Sequence, residues 1–425
     1  MLTWLDLRGR REPLVDVLRP PGDPGADVGE VVASILQRVR AGGDDVVRRL
    51  TSELDGADID DLRVPGAEVA AALGRISPDL RDALDLAWHN ICAYHAHEPE
   101  PAGDYVDDGL RVRELVRPVD RAGCYAPGGR ARYPSTVLMC AGPARVAGVP
   151  EVVLCVPPDR DGKVDDATLA AAAVAGVDEL YRIGGAQAIA AMAFGTETIR
   201  PVDVIVGPGN TYVAEAKRQV AGAVGIASAF AGPSEVVVVA AGSTPASFAA
   251  IDLVVQAEHG PDGAAWLVTW SEEKAKEVEE EVERLVAASP RRADLEATLG
   301  KAGYVCMVDD AAQAVEVANV VAPEHLELLF DGAEELLGSV RSAGAVFCGP
   351  WSPASLGDYV AGPNHVLPTN RTARFSSALR AEDFRRRIHA VSASREALGR
   401  LGPAAMALAS AEGLLAHAAS IEVRL

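Results

Sequence analysis

The sequence predicts an α/β protein with two doubly wound, Rossmann-like domains built on parallel sheets. The first observation is composition: the 425 residues are 49% hydrophobic and 24% charged, which indicates a large core and excludes a mainly disordered chain. The second is that short β-branched runs alternate with Ala-rich helical runs from about residue 115 onward. The third is that Gly or Pro follows the carboxyl end of these runs, which is typical of parallel sheets covered by helices.

The first hundred residues predict helices. Residues 27–56 carry apolar side chains at spacings of three and four and end on Gly56. Residues 76–101 continue this pattern, with Ser77-Pro78 as a start signal and a Pro-rich stop. We expect a short extension at residues 1–20 before these helices.

Strand and helix patterns then alternate twice. One domain is expected at residues 121–234, with strands within 149–158, 179–185 and 202–209. The other is expected to be discontinuous, formed by 21–120 and 235–378, with strands within 234–242, 264–270 and 304–309. The tail, residues 379–425, is expected to be helical.

Charge and cysteine usage exclude several classes of protein. With 40 basic and 61 acidic residues the formal charge is −21, which disfavours nucleic acids and anionic membrane surfaces as partners. The N-terminus has no apolar run long enough for a signal peptide. The six cysteines are scattered without a CxxC pair, which argues against a disulfide framework and a cysteine zinc site. A reduced, cytoplasmic protein is expected.

Three glycine-containing loops follow predicted strands, at residues 123–129, 184–187 and 207–210. The GxGxxG dinucleotide motif and the P-loop are both absent. The last two loops precede helix N-termini, which suit anions, although ordinary strand–helix turns also need glycine. Three such loops in succession favour a ligand site.

Four short segments combine imidazoles, carboxylates and an amide. Gln256 and His259 lie three residues apart at a helix end, where a histidine also suits the helix dipole without any ligand. Glu324-His325 places two proton-transfer groups side by side. The remaining residues lie in a Gly- and Pro-rich loop and in the tail: Asp358, His365, Glu412 and His417. Histidine and aspartate with an amide oxygen predict a zinc site, because no cysteine has suitable spacing.

These segments resemble the histidinol dehydrogenase family over about residues 30–420. The most specific blocks of similarity are 133–149, 184–196, 207–220, 231–236, 256–262, 322–328 and 355–369. Agreement over so many ordered blocks makes chance similarity negligible.

The resemblance implies a homodimer with intertwined tails and one zinc ion in each active site. The implied zinc ligands are Gln256, His259, Asp358 and, from the neighbouring subunit, His417. The implied substrate contacts are Ser234, Gln256, His259, His325, Asp358, His365, Glu412 and His417. Tyr125, Gln187 and Asn210 would contact NAD, and Glu324 with His325 would be the catalytic pair.

The implied reaction is the last step of histidine biosynthesis: oxidation of L-histidinol to L-histidine through L-histidinal, with two NAD⁺. This sequence departs from the common family pattern at 225–231, Val255 and 361–363, which border the implied pocket. A related zinc- and NAD-dependent dehydrogenase of another polar alcohol, such as a sulfonated diol, therefore stays open. A non-catalytic two-lobed metabolite-binding protein would not require Glu324-His325.

Overall fold

The computed structural model describes residues 1–10, 14, 18, 28–99, 103–128, 132–227, 234–258 and 263–425. This part of the chain forms two six-stranded sheets and one three-stranded sheet. Helices accompany both of the larger sheets, and the predicted α/β class is confirmed.

The first sheet contains strands from the middle of the chain. Its strands are β2 (Arg63–Val64), β5 (Arg121–Tyr125), β6 (Glu151–Cys155), β7 (Glu179–Tyr181), β8 (Val204–Val206) and β9 (Gly225–Ile226). Their order is β2-β7-β6-β5-β8-β9, and only β2 is antiparallel to its neighbour. Counted from β5, this is the 3-2-1-4-5 order of a Rossmann half.

The second sheet combines one strand from the start of the chain with five strands from residues 235–348. Its strands are β1 (Thr3–Asp6), β10 (Glu235–Ala240), β11 (Ala264–Thr269), β12 (Gly303–Met307), β13 (His325–Leu329) and β14 (Ala345–Cys348). All are parallel, in the order β1-β12-β11-β10-β13-β14. Part of the predicted N-terminal extension is therefore an edge strand paired with Tyr304–Met307.

Both larger sheets are buried on their two faces. In β6, Val152 and Leu154 join one buried cluster, whereas Val153 and Cys155 join another. In β10, Val236 belongs to a different cluster from its neighbour Val237. Such near-continuous hydrophobic strands are expected when helices cover both faces of a parallel sheet.

The helices are connected to these sheets by short segments. They are α1 (Gly29–Asp55), α2 (Gly66–Ala71), α3 (Pro78–Ala96), α4 (Pro134–Ala147), α5 (Asp166–Val174), α6 (Gly185–Phe194), α7 (Thr211–Val220), α8 (Ala246–Glu258), α9 (Glu272–Ala288), α10 (Arg292–Ala302), α11 (Ala311–Val321), α12 (Ala354–Tyr359), α13 (Arg395–Ala411) and α14 (Leu415–Glu422). None of these described helices is both long and apolar enough to cross a membrane.

The N-terminal helices pack on the first sheet. Helix α1 contacts α6 and α7, and α3 contacts α4. Val39 of α1 shares a buried cluster with Ile189 of α6. The grouping of residues 21–120 with 235–378 in one domain stays a prediction, because an amphipathic helix specifies a buried face but not the sheet that covers it.

The tail begins with a single 3₁₀ turn (Ala381–Phe384) followed by a strand, so the helix expected over this part was wrong. Strand β15 (Arg385–Ala393) pairs antiparallel with β4 (Leu110–Pro118), which also pairs with β3 (Asp104–Asp107). Arg387 of β15 forms ion pairs with Glu114 and Glu382. Its partner strand lies about 270 residues earlier, so the local pattern of charged residues could not predict the pairing.

Candidate active site

The carboxyl edge of the first sheet meets the amino edge of the second. Helix α4, which follows β5, carries Thr136, whose Oγ1 lies 3.1 Å from His365 Nε2. His365 Nδ1 lies 2.8 Å from the carbonyl oxygen of Asp358. The neighbouring Asn364 is buried and donates to the carbonyl oxygen of Met139 in α4 (2.6 Å). The segment following α12 is thereby fixed against the first sheet's helices.

His325 lies at this junction as the first residue of β13, and its side chain is buried. Its Nε2 is 3.3 Å from Asp358 Oδ1, and its Nδ1 is 4.0 Å from Glu324 Oε2. Burial alone would lower the pKa of His325, but the two carboxylates outweigh it and raise this pKa to about 9. The structure thus brings together Glu324, His325, Asp358 and His365. Asp358 lies in the short helix α12 rather than in a loop.

Glu235 is a buried carboxyl group beside Glu324 that the sequence analysis did not single out. Val236 pairs with His325 in the sheet register, so Glu235 and Glu324 are neighbours across adjacent strands. Burial, together with the negative charge of Glu324, raises the pKa of Glu235 to about 8. Hydrogen bonds from the backbone N–H groups of Asn370 and Arg371 oppose this rise.

A second pair of carboxyl groups, Asp252 and Glu327, supports the same site. Glu327 Oε1 accepts a 2.9 Å hydrogen bond from the N–H of Ala354, the first residue of α12. Burial and the neighbouring Asp252 raise the pKa of Glu327 to about 9. Asp252 lies one helical turn before Gln256 on α8, so this pair links the helix that carries Asp358 to the helix that carries Gln256.

The implied zinc ligands are only partly placed within one chain. Gln256 is buried, and its Nε2 has no hydrogen-bond partner among the described residues. His259 lies outside the described residues. His417 on α14 and Glu412 at the end of α13 are exposed. Within the described ranges there is no group of three or more His, Cys, Asp or Glu side chains able to hold a metal ion.

Ser234 is half-buried and immediately precedes β10. Its carbonyl oxygen accepts a 3.1 Å hydrogen bond from the N–H of Ala264. Ser234 is therefore located at the amino edge of the second sheet, on the same edge as His325.

The three glycine-containing loops meet at the carboxyl edge of the first sheet. The Tyr125 hydroxyl accepts a 3.1 Å hydrogen bond from the N–H of Gly185 at the start of α6. Asn210 caps α7 by accepting from the N–H of Val213 (3.0 Å). Gly207 has φ +107°, and a Cβ there would collide with the carbonyl oxygen of Tyr125, so the close approach of these loops requires glycine.

Two residues that sequence reasoning missed support these loops. The amine of Lys217 is fully buried, donates to the carbonyl oxygen of Gly207, and has its pKa lowered to about 8 by burial. Gln187 Nε2 donates to Asp55 Oδ2 at 3.2 Å. The sequence could have indicated Asp55, because it is a carboxylate at the C-terminal end of a predicted helix, directly before Gly56. The helix dipole disfavours negative charge at that position.

The fold and the site together define a class of protein. A Rossmann-like strand order with glycine-containing loops faces a buried imidazole flanked by carboxylates, at the junction between two α/β sheets. This arrangement is that of a two-domain α/β enzyme with acid–base groups positioned between its sheets.

Comparisons with known proteins identify the family. The sequence profile of the histidinol dehydrogenase family matches residues 21–425. Histidinol dehydrogenase of Gluconobacter oxydans is 46% identical over 98% of this chain and 97% of its own length. That of a Synechococcus strain is 48% identical over 92% of this chain and 91% of its own length. The crystal structure of histidinol dehydrogenase from Elizabethkingia anophelis has a TM-score of 0.93 at 34% identity, covering 100% of this chain and 98% of that one. This chain belongs to the histidinol dehydrogenase family, whose members are oxidoreductases.

Proposed function

We propose that this protein oxidises L-histidinol to L-histidine through L-histidinal and passes two hydrides to two NAD⁺, the last step of histidine biosynthesis. The observation that carries this proposal is His325, buried between Glu324 and Asp358 where the two sheets meet. Family membership supplies the substrate, and the acid–base cluster supplies groups suited to both oxidations.

His325 is assigned the proton transfers. In the first oxidation its neutral form, which predominates above its pKa of about 9, accepts the hydroxyl proton of the alcohol while a hydride leaves the same carbon. Its two ring nitrogens face different carboxylates, so a proton taken up on one side of the ring can be released on the other. Glu324 is assigned the activation of the water molecule that adds to the aldehyde carbon before the second hydride leaves. The products are the carboxylate, two NADH and the released protons.

Tyr125, Gln187 and Asn210 are assigned to NAD, which supplies the hydride acceptor when bound. The residues fit this group in three respects. The strand order is that of a nucleotide-binding half, Gly207 permits close backbone approach, and the buried Oε1 of Gln187 has no hydrogen-bond partner among the described residues. Tyr125 and Gln187 hold the start of α6 and the end of α1 at this edge.

Gln256, His259, Asp358 and His417 of the partner subunit are assigned to zinc, which supplies a Lewis acid that anchors the substrate when bound. The donor set suits zinc because it combines two imidazoles, one carboxylate and one amide oxygen. Gln256 is buried, and turning its amide by 180° would place the oxygen where Nε2 has no hydrogen-bond partner among the described residues, which supports this assignment. The exposed position of His417 supports a homodimer in which each tail completes the neighbouring site.

Ser234, His365 and Glu412 are assigned to the substrate, together with the residues assigned to zinc and His325. His365 is fixed on both ring nitrogens, by Thr136 and by the backbone of Asp358. Such fixed orientation is what positioning a small polar substrate requires. Glu412 is exposed like His417 and is assigned to the partner's site.

The test is the stoichiometry of NADH to L-histidinol, with L-histidine measured as the product. We expect two NADH for each L-histidinol consumed, and loss of activity after treatment with a zinc chelator. One NADH with accumulation of L-histidinal would contradict a four-electron reaction. Turnover of another polar alcohol, with none of L-histidinol, would instead indicate the related dehydrogenase left open by the sequence.

A further inference from the structure

Asp55 is a half-buried carboxylate at the carboxyl edge of the first sheet. It is the last residue of α1, directly before Gly56 in the left-handed conformation. Gln187 Nε2, in the first turn of α6, donates to it at 3.2 Å. Helix α6 follows β7, so Asp55 lies on the side of the sheet formed by β5, β6 and β7.

The position of Asp55 is electrostatically unfavourable. The C-terminal end of a helix disfavours negative charge. Burial raises the pKa of Asp55 to about 6. None of the ion pairs formed within the described ranges includes Asp55. Packing alone therefore does not explain why a carboxylate occupies this position.

Gln187 provides a second, independent observation. Its side chain is fully buried, and its Oε1 lacks a hydrogen-bond partner among the described residues. A buried acceptor left without a donor is unfavourable. The amide nitrogen of Gln187 is bonded to Asp55, which holds the carbonyl oxygen of Gln187 near the carboxylate. These two acceptors suit a ligand that donates from adjacent hydroxyl groups.

The strand order indicates which hydroxyl groups these are. In a Rossmann half, the nucleotide lies over the carboxyl ends of the first three strands, and an acidic residue near the second strand accepts from its ribose. The second strand here is β6, and the first carboxylate after it, Asp159, follows Pro157-Pro158. Asp159 Oδ1 accepts hydrogen bonds from the N–H groups of Asp161 (2.9 Å) and Lys163 (2.8 Å), so this carboxylate is engaged in its own turn. Asp55 approaches the same side of the sheet from a helix that precedes it in sequence.

We propose that Asp55 accepts hydrogen bonds from the ribose hydroxyls of the adenosine half of NAD and selects NAD over NADP. The selection follows because the carboxylate repels the additional phosphate that NADP carries on this ribose. This role rests on the proposed use of NAD, and it adds a residue to Tyr125, Gln187 and Asn210.

The test is direct binding of NAD⁺ and NADP⁺ to the full-length protein, measured by isothermal titration calorimetry without substrate. Removing a hydrogen bond to a charged group costs about 1.5–3 kcal/mol, so Asp55→Ala should raise the dissociation constant of NAD⁺ by roughly 10- to 100-fold. NADP⁺ binding should strengthen relative to NAD⁺ in both Asp55→Ala and Asp55→Asn. The KM for L-histidinol should stay unchanged.

Asp58→Asn is the matched control, because Asp58 is an exposed carboxylate three residues away that accepts from the hydroxyl of Ser52 (2.6 Å). It should leave the binding of both nucleotides unchanged. A second readout uses the unliganded protein. Asp55→Asn removes a charge from an unfavourable position, so its melting temperature near pH 8 should equal or exceed that of the wild type.

Two outcomes would overturn the proposal, and they are distinguishable. If the wild type binds NAD⁺ but a folded Asp55→Ala variant binds both nucleotides as the wild type does, Asp55 does not contact the ribose. If the Asp55→Asn variant melts well below the wild type, Asp55 is structural and the binding loss is indirect. Absence of NAD⁺ binding by the wild type would contradict the proposed function itself, and with it this role.

Discussion

At the residue scale, the site is a set of carboxyl groups whose charge depends on their surroundings. Burial raises the pKa of Glu235 to about 8 and that of Glu327 to about 9, so both are mainly protonated at neutral pH. Glu324 and Asp358 instead flank His325 and raise its pKa. Neutral carboxyls therefore support the site, whereas the carboxylates beside the imidazole are the ones available for proton transfer.

The division of labour between Glu324 and His325 predicts different defects. A general base contributes about 10²–10⁴-fold, so both substitutions should be severe. Glu324→Gln keeps the size but cannot activate water, so it should slow oxidation of added L-histidinal more than the first turnover of L-histidinol. His325→Asn should be slow with either substrate. Rapid-mixing measurements with each substrate test this, and equal losses for Glu324→Gln with alcohol and aldehyde would contradict the assigned roles.

The burial of Glu235 predicts a pH dependence of stability. The pKa of Glu235 in the folded protein is about 8, above its ordinary value of 4.5. Between pH 4.5 and pH 8 the folded protein therefore holds a proton that the unfolded chain has lost. The corresponding stability is fully present below pH 4.5 and is lost as the pH rises through about 8. Glu235→Gln should therefore lose less stability than the wild type between about pH 5 and pH 8.

Urea unfolding at several pH values would measure this difference. Glu280→Gln, which removes an exposed carboxylate from α9, is the control for the loss of one negative charge. Identical pH profiles for the wild type and Glu235→Gln would show that Glu235 is ionised in the folded protein at neutral pH.

At the element scale, close helix packing positions the first sheet. Gly142 of α4 is buried against α3, and a Cβ at this position would lie 2.6 Å from Cγ2 of Ile91. Ile91 is itself fully buried and β-branched, which leaves it little freedom to move aside. The contact between α3 and α4 therefore depends on the absence of a side chain at residue 142.

Alanine substitutions at two helical glycines separate this steric effect from helix propensity. Gly142→Ala should lower the free energy of unfolding by about 1–3 kcal/mol, because overpacking a core is destabilising. Gly300→Ala in α10 meets nothing within 4 Å and should raise it by up to about 1 kcal/mol. Chemical denaturation measures both. If the two substitutions stabilise the protein to a similar extent, Gly142 of α4 is not in close contact with Ile91 of α3.

At the scale of the whole molecule, the tail is the least buried part of the described chain. Leu408, Leu415 and Val423 are exposed, as are Glu412 and His417. Helices α13 and α14 pack mainly on each other. Exposed apolar side chains beside two residues assigned to the site are what a tail that completes a neighbouring subunit would present.

A mixture of two inactive chains tests this arrangement. His417→Ala and His325→Ala homodimers should each be inactive. In a heterodimer, one site combines an intact His325 with an intact His417, so activity should return to at most half of the wild-type value per dimer. Differently tagged chains, co-expressed and purified by both tags, provide verified heterodimers. No activity in them would mean that each site is built within one chain.

The sequence by itself determined much of the local structure and pointed to the segments of the candidate site. Hydrophobic periodicity predicted six strands of the two large sheets, because a buried parallel strand needs a continuous apolar run. These are β6, β7, β8, β10, β11 and β12. Glu324-His325 was recognised because the two groups are adjacent in sequence, and Asp358 with His365 because a Gly- and Pro-rich loop joins them.

Only the tertiary structure decided which distant elements meet. It paired Thr3–Asp6 with Tyr304–Met307 and Arg385–Ala393 with Leu110–Pro118, and it packed α1 on the first sheet. It also placed Asp55 against Gln187 and Glu235 beside Glu324. The physical reason is that a local pattern fixes the period and buried face of an element. The partner of that face, and the surroundings of a carboxylate that set its pKa, depend on contacts between residues far apart in the chain.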